Sequence, residues 1–247
     1  MRMLTALAGL LISCVEAIAM VGGARPAPDA IGRSVVVIVG SHGNSCTGTA
    51  LAPDLVLTAA HCVLPGAVYK IVEFDAAHQP LLRDITRVTA HPKFDPTQHR
   101  ATADVALLKL SAPLANVTLA TLGPAGIAVA PGDAFLVAGT GVAIRHDGKS
   151  GGTARAATLA VTGKPGTLQV RLFDPTTKGE VAGLGACNGD SGAPVFRIAP
   201  NPVIIGVVSW STGPGNSDGC GGLTGVTPLT LYLEWIRGTA KILGNQL

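Results

Sequence analysis

The chain has 247 residues, 47% of them hydrophobic and only 13% charged. A charged share this far below the usual ~25% argues against a disordered chain. A formal charge of +3 with no run of Lys or Arg argues against nucleic acid as a partner. Low aromatic content (4%) with many Gly and Pro points to short strands and tight turns rather than long helices.

Residues 1–19 read as a targeting segment. Arg2 supplies the positive start. Leu4 to Ile12 form an apolar core too short to span a bilayer, and Ala17-Ile18-Ala19 has the small-x-small pattern of a signal-peptidase site. The chain thus divides into a leader, 1–19, and a mature part, 20–247, expected to be secreted or periplasmic. Leu11-Ile12-Ser13-Cys14 supports a second reading, in which Cys14 becomes the lipid-anchored first residue of a bacterial lipoprotein. No later stretch is long and apolar enough for a membrane helix. With Cys14 set aside, Cys46, Cys62, Cys187 and Cys220 form an even set that allows three connectivities. An oxidising compartment favours two disulfides over four free thiols.

Strands are expected at Ser34–Val39, Leu55–Ala59, Ile71–Phe74 and Val105–Leu110. In the second half they are expected at Ala134–Ala138, Leu168–Phe173, Val195–Ile198, Val203–Ser209 and Val226–Thr227. Gly, Pro, Asp or Asn lies close to most of these runs, as turns require. The spacing fits an all-β sandwich or barrel without choosing between them. The Gly/Pro-rich stretch Leu122–Gly132 is the candidate linker between two halves of similar size, 20–122 and 123–228. In the remaining segment, 229–247, Leu229, Leu233, Ile236, Ala240 and Leu243 fall on one helical face, with Pro228 before it and Gly244 ending it. Such a C-terminal helix is expected to act as a packing cap.

Three segments carry chemistry. Thr58-Ala59-Ala60-His61-Cys62 follows the apolar run Leu55-Val56-Leu57, which holds a His at a strand end where it can serve as a general base. Asp104 opens the run Val105–Leu110. A carboxylate there is costly unless paired, and a His donating to it would have its tautomer fixed. Cys187-Asn188-Gly189-Asp190-Ser191-Gly192-Ala193-Pro194 rings a Ser with Gly, which suits a sharp loop with an exposed hydroxyl and converging N–H groups. Taken singly, each has a plain structural reading: a packed His, a surface Asp, a Gly-rich turn. The six His and five Cys show no zinc spacing such as Cys-x-x-Cys or His-Glu-x-x-His, so no metal and no cofactor is expected.

Together, and in the order His, Asp, Ser, the three segments resemble those of the chymotrypsin-like (trypsin-like) serine peptidases. The likeness runs over nearly the whole mature chain. Gly139-Thr140-Gly141 resembles that family's Gly-Trp-Gly turn, with Thr in place of Trp. Ser209-Trp210-Ser211 resembles its Ser-Trp-Gly substrate-binding edge, and Tyr232-Leu233-Glu234-Trp235-Ile236 its closing helix.

The resemblance implies two six-stranded antiparallel β-barrels with the active site in the cleft between them. It implies the triad His61, Asp104 and Ser191, an oxyanion hole from the N–H groups of Gly189 and Ser191, and support of Asp104 by Ser209. It also implies the disulfides Cys46–Cys62 and Cys187–Cys220. Substrate would dock along Ser209, Trp210 and Ser211. Gly185 stands where an Asp would select Lys or Arg, so a neutral primary pocket is expected. Ser211 would narrow that pocket and Gly225 keep its far wall open, favouring small or medium apolar residues; Asp218, in the hard-to-align Thr212–Gly219 loop, is the feature that would restore a taste for basic ones. Met20-Val21-Gly22-Gly23 resembles the N-terminus that inserts and pairs with the Asp before the catalytic Ser, here Asp190. The function implied is a secreted serine endopeptidase, monomeric, acting on protein or peptide substrates. The alternative is a non-catalytic binding or adhesion protein on the same scaffold.

Overall fold

A computed structural model describes residues 20–74, 79–97, 103–166 and 168–247. The targeting segment 1–19, with Cys14 and the Ala17-Ile18-Ala19 site, lies outside the described residues.

The first half carries the two-residue strand β1 (Arg25–Pro26), a single helical turn α1 (Asp29–Gly32), and strands β2 (Val35–Gly40), β3 (Ser45–Ala52), β4 (Leu55–Thr58), β5 (Tyr69–Phe74), β6 (Pro80–Ala90) and β7 (Ala106–Leu110). The second half carries β8 (Ala134–Gly139), β9 (Arg155–Val161), β10 (Val170–Phe173), β11 (Pro194–Arg197), β12 (Val203–Ser211), β13 (Leu223–Pro228) and the helix α2 (Leu233–Ile242). Strands β2 to β7 close into one antiparallel barrel in the order β2-β3-β4-β7-β6-β5. Strands β8 to β13 form a second, in the order β9-β10-β13-β12-β11-β8, closed by the pairing of β8 with β9 and extended by β1 on β9. Barrels rather than a sandwich are therefore the solution to the strand-rich sequence.

Burial explains why some strands read clearly. Successive residues of a strand face opposite sides. On β7, Leu108 points into the first barrel's own core with Val36, Ile38 and Val56. Its neighbour Leu107 points into a different cluster, where Leu55 and Leu57 of β4 meet Phe196, Ile204 and Val207 of the second barrel. Both faces of β4 are dry, and those of β7 are dry except at Lys109, so their sequences are largely apolar runs. The second barrel has its own core around Phe135, Val137, Leu159, Leu172 and Val208, which also takes in Met20 and Ala24.

Three long strands fall outside the expected set. β3, Ser45-Cys46-Thr47-Gly48-Thr49-Ala50-Leu51-Ala52, is buried from Cys46 onward but uses small residues. β9 is rich in Ala. β6 lies largely exposed and carries charge, with Arg83 donating to Glu73 on β5 at 2.7 Å.

The expected helical face is the buried one: Leu229, Leu233, Ile236, Ala240 and Leu243 all enter the cluster that joins the two barrels. The helix proper is shorter than 229–247. Leu229–Leu231 form a tight 3-10 turn after Pro228, and Gly244 follows the helix with φ +84°. No helix among the described residues is long and apolar enough to cross a membrane.

Because Ile236 is fully buried in that inter-barrel cluster, Ile236→Ala is expected to cost about 2–5 kcal/mol. Ile242, on the same helix but 75% exposed, is expected to tolerate Ala within about 0.5 kcal/mol. Urea unfolding of the two variants measures the contrast.

Candidate active site

His61 lies in a one-turn 3-10 helix, Ala60–Val63, that leaves the end of β4. The Cys46–Cys62 disulfide ties this turn to β3. Asp104 lies just before β7, which pairs with β4 so that Thr58 stands opposite Ala106. The pairing brings the two side chains together: His61 Nδ1 is 2.7 Å from Asp104 Oδ2, and the His61 backbone N–H donates to Asp104 Oδ1 at 2.9 Å. A third donor arrives from the second barrel, where Ser209 Oγ on β12 donates to Asp104 Oδ2 at 2.5 Å.

Burial works against the charge of Asp104, but the hydrogen bonds from His61 and Ser209 and the nearby imidazole outweigh it and hold the carboxyl below the usual carboxylate range. A carboxylate accepts only, so Nδ1 carries the proton, and in the neutral imidazole Nε2 is the nitrogen with the lone pair. The His61 side chain is 34% exposed, so that lone pair is reachable from the cleft.

Ser191 belongs to the loop between Cys187 and β11. The Cys187–Cys220 disulfide anchors one end of this loop. The Cys62 sulfur borders both groups, 3.9 Å from His61 Nε2 and 3.6 Å from the Ser191 carbonyl oxygen. Among the described residues no hydrogen bond joins Ser191 Oγ to His61 Nε2. Such contacts often close only when substrate is bound.

The backbone of the loop can be followed group by group. The Asn188 carbonyl accepts from Val142 N at 2.8 Å, Gly189 O from the Thr47 hydroxyl at 2.7 Å, Asp190 O from Ala193 N at 2.9 Å, and Ser191 O from Thr47 N at 2.8 Å. Asp190 N donates to Cys187 O at 3.0 Å and Gly192 N to Val208 O at 2.7 Å. From Gly189 to Ala193, the N–H groups left without a partner among the described residues are those of Gly189 and Ser191. In a trans peptide the N–H points opposite the preceding carbonyl, so fixing Asn188 O and Asp190 O also fixes the direction of these two donors. Gly192 has φ +83°, and a Cβ there would collide with the Thr47 carbonyl and the Thr58 hydroxyl. The first barrel therefore presses directly on the Ser loop.

Asp190 is fully buried. Its oxygens accept from Gly141 N at 2.8 Å and Cys187 N at 2.9 Å. Burial pushes its carboxyl up to about 7, against the pull of those two N–H groups. No Lys, Arg or His pairs with it among the described residues. Met20, also fully buried, packs with Ala186 and Ala193 on either side of the Ser loop. Val21 forms an antiparallel bridge to Gly185.

Gly185 thus lies beside the N-terminal segment and next to Ala186. Ser211 at the end of β12 pairs with Thr224 on β13. Directly paired residues share a sheet face. Thr224 is fully buried, and its hydroxyl accepts from Ala186 N at 3.0 Å. Thr224 does not stand out in the sequence, where the strand is expected only at Val226–Thr227. Gly225 also makes room for an aromatic ring. A Cβ on it would collide with the Trp210 indole, so the ring occupies the space that Gly225 leaves. On the neighbouring loop, Arg145 Nη2 donates to the Asp218 carbonyl oxygen at 2.6 Å. A cavity of about 440 Å³ is bordered by Gly189 together with Val37, Ser45, Val142 and Asn188.

Among the described residues, Cys46, His61 and Cys62 bring metal-type ligand atoms within 4.8 Å of one another. The two sulfurs are joined in a disulfide and offer no thiolate, so the group does not suit a metal.

A family model described as Trypsin matches residues 20–236. Serine protease 56 of Mus musculus is 33% identical over 220 residues, covering 78% of this chain and 34% of that protein, so the chain spans about a third of that relative's length. Kallikrein-15 of Homo sapiens is 27% identical over 223 residues, 80% of this chain and 82% of that protein. Human heparin binding protein matches in structure with a TM-score of 0.70 and 26% identity, over 88% of this chain and 95% of that one.

Seating of the indole against Gly225 gives a direct expectation. Gly225→Ala should displace Trp210 toward solvent, red-shift the fluorescence of the two-Trp chain and raise its quenching by acrylamide. Unchanged emission would show that the ring does not depend on the missing Cβ.

Proposed function

The chain belongs to the trypsin family of serine peptidases, and on that premise we propose that it is a secreted serine endopeptidase acting through His61, Asp104 and Ser191. The observation that carries the reading is the pair of N–H groups at Gly189 and Ser191 that have no partner among the described residues, together with an imidazole whose proton is held on Nδ1 by Asp104. A peptide carbonyl entering the cleft meets two donors where its oxygen becomes negative. His61 Nε2 takes the Ser191 proton as Oγ attacks, and then gives it to the leaving amine. Water hydrolyses the acyl-enzyme by the reverse path. Substrate lies extended along Ser209, Trp210 and Ser211 as an added strand.

The primary pocket is neutral and shallow. Gly185 offers no charge at its base, and Ser211 narrows it from the end of β12. The Arg145 cation already bound to the Asp218 loop weighs against a preference for basic residues. Small or medium apolar residues are the expected choice before the cut. The second reading is a non-catalytic binding protein, which the structural likeness to heparin binding protein brings forward. It expects a lost triad member, and this chain keeps all three.

A fluorophosphonate probe separates the two. The wild-type protein is expected to be labelled once, at Ser191, and to cleave a mixed peptide library. Ser191→Ala should lose labelling and fall to the residual level of ~10³–10⁴-fold over water. An unlabelled, well-folded wild type would refute the peptidase reading.

The proposed N-terminus is Met20, freed by removal of residues 1–19, with its ammonium paired to Asp190. Without that ammonium, the folded chain keeps a proton on Asp190 up to about pH 7, while the unfolded carboxyl loses it near its ordinary value of 3.8. The folded state then binds more protons, so its stability falls as pH rises from about 4 to about 7. An ammonium at Met20 favours the carboxylate and removes this loss. Urea midpoints across that range are expected to fall for a chain retaining residues 1–19 and not for one that starts at Met20. Parallel profiles would sink the ion pair.

A further inference from the structure

The triad and the oxyanion-binding donors leave one buried polar cluster unexplained. Thr47 on β3 is fully buried, and every polar group it owns is directed at the active-site elements. Its N–H donates to Ser191 O at 2.8 Å, and its carbonyl accepts from the Thr58 hydroxyl at 2.8 Å. Its hydroxyl touches three partners: Gly189 O at 2.7 Å, Thr140 N at 3.1 Å and Thr140 Oγ1 at 2.9 Å.

Elementary bookkeeping of protons settles the directions. A hydroxyl has one proton and two lone pairs. Gly189 O can only accept, so the Thr47 proton goes there. Thr140 N can only donate, so it fills one lone pair of Thr47. The Thr140 hydroxyl must then donate into the other. Thr47 Oγ1 is saturated, and the Thr140 hydroxyl strengthens its grip on Gly189 by polarising it. The cluster bridges the two barrels: Thr47 belongs to the first, and Thr140 follows β8 of the second. Thr140 also sits in the Gly139-Thr140-Gly141 turn whose last N–H holds Asp190.

The geometry points to Thr47 and Thr140 as positioning residues for the oxyanion-binding loop, with the Thr47 hydroxyl fixing the Gly189 carbonyl from across the barrel seam. Gly189 is hinged on both sides. The Asn188 carbonyl is tied to Val142 N, and the Gly189 carbonyl is tied to Thr47. The first tie sets the direction of the Gly189 N–H, and the second holds the peptide on the other side of the same residue, so together they fix the backbone torsions of Gly189. Release of the second tie leaves the Gly189–Asp190 peptide held only by the Asp190 N–H on Cys187 O, so the backbone about Gly189 can shift and displace the donor array that faces the reacting oxygen. Neither Thr need touch substrate, so the effect belongs to turnover rather than to binding.

The inference rests on the peptidase reading, and the test keeps the two apart. Thr47→Val removes the hydroxyl at constant shape, Thr47→Ser keeps it, and Thr140→Val removes only the polarising donor. Each variant is compared with wild type for kcat, KM and the rate of fluorophosphonate labelling, with folding checked by circular dichroism. Thr47→Val is expected to lower kcat and the labelling rate by about tenfold or more, with KM within about threefold, since a small misplacement of the donor array is enough. Thr47→Ser is expected to stay within about threefold of wild type, and Thr140→Val to fall between the two. A labelled wild type with a folded Thr47→Val that reacts just as fast would overturn the inference alone. So would a Ser variant as impaired as the Val variant, or a loss confined to KM. If Thr47→Val does not fold, Thr140→Val decides: an unchanged kcat there overturns the inference. A wild type that is not labelled at all removes both the inference and the reading beneath it.

Discussion

A carboxylate buried in the seam between two barrels is the constraint on which the rest of the structure turns. Placing the Asp104 charge there costs several kcal/mol unless donors surround it. The first barrel supplies two, the N–H and Nδ1 of His61, and the second supplies the Ser209 hydroxyl. Neither barrel alone satisfies the group, so Asp104 fixes how the barrels meet as well as which nitrogen of His61 keeps its proton. The apolar cluster shared by β4, β7, the second barrel and α2 supplies the bulk of that contact, and Asp104 supplies its register.

The Ser loop obeys a similar rule. It belongs to the second barrel, yet its carbonyls at Gly189 and Ser191 are held by Thr47 of the first. Orientation of the loop therefore depends on the barrels being docked, as does the approach of Ser191 to the imidazole. The loop itself carries Asp190, a second buried carboxyl, satisfied by two N–H groups and no cation within the described residues. The two acids have opposite tendencies. Asp104 is held ionised by donors, while burial favours the proton on Asp190.

Much of this was legible in the sequence, for physical reasons that vary with position. β4 and β7 were readable because both faces are mostly dry and the apolar run is broken only by Lys109 of β7. α2 was readable because its buried face repeats at helical spacing. β3 was hidden because most of its buried positions are filled by Thr, Gly and Ala, which carry little hydrophobic signal, and β9 because Ala and a buried Arg155 dilute the signal of Leu159 and Val161. β6 was hidden because its charged residues face solvent or pair with β5. His61, Asp104 and Ser191 stand in distinctive local contexts, and the cysteine pairs fell where the family resemblance put them. Thr47, Thr140 and Thr224 had no such context. Their roles arise from contacts between distant parts of the chain, and Thr is common in ordinary strands. Gly225 stood out as a pocket residue, but the seat it gives the Trp210 ring depends on the pairing of β12 with β13, which local sequence does not specify.

The central claim is that Gly189 and Ser191 aim two N–H groups at the oxygen of a substrate attacked by Ser191. Its most direct test is a crystal structure of the protein after reaction with a peptidyl phosphonate. The expected result is phosphorus bonded to Ser191 Oγ, one phosphonyl oxygen about 2.7–3.1 Å from both Gly189 N and Ser191 N, and His61 still held by Asp104. Phosphorus attached elsewhere, or a phosphonyl oxygen turned to solvent with those two N–H groups unengaged, would contradict it.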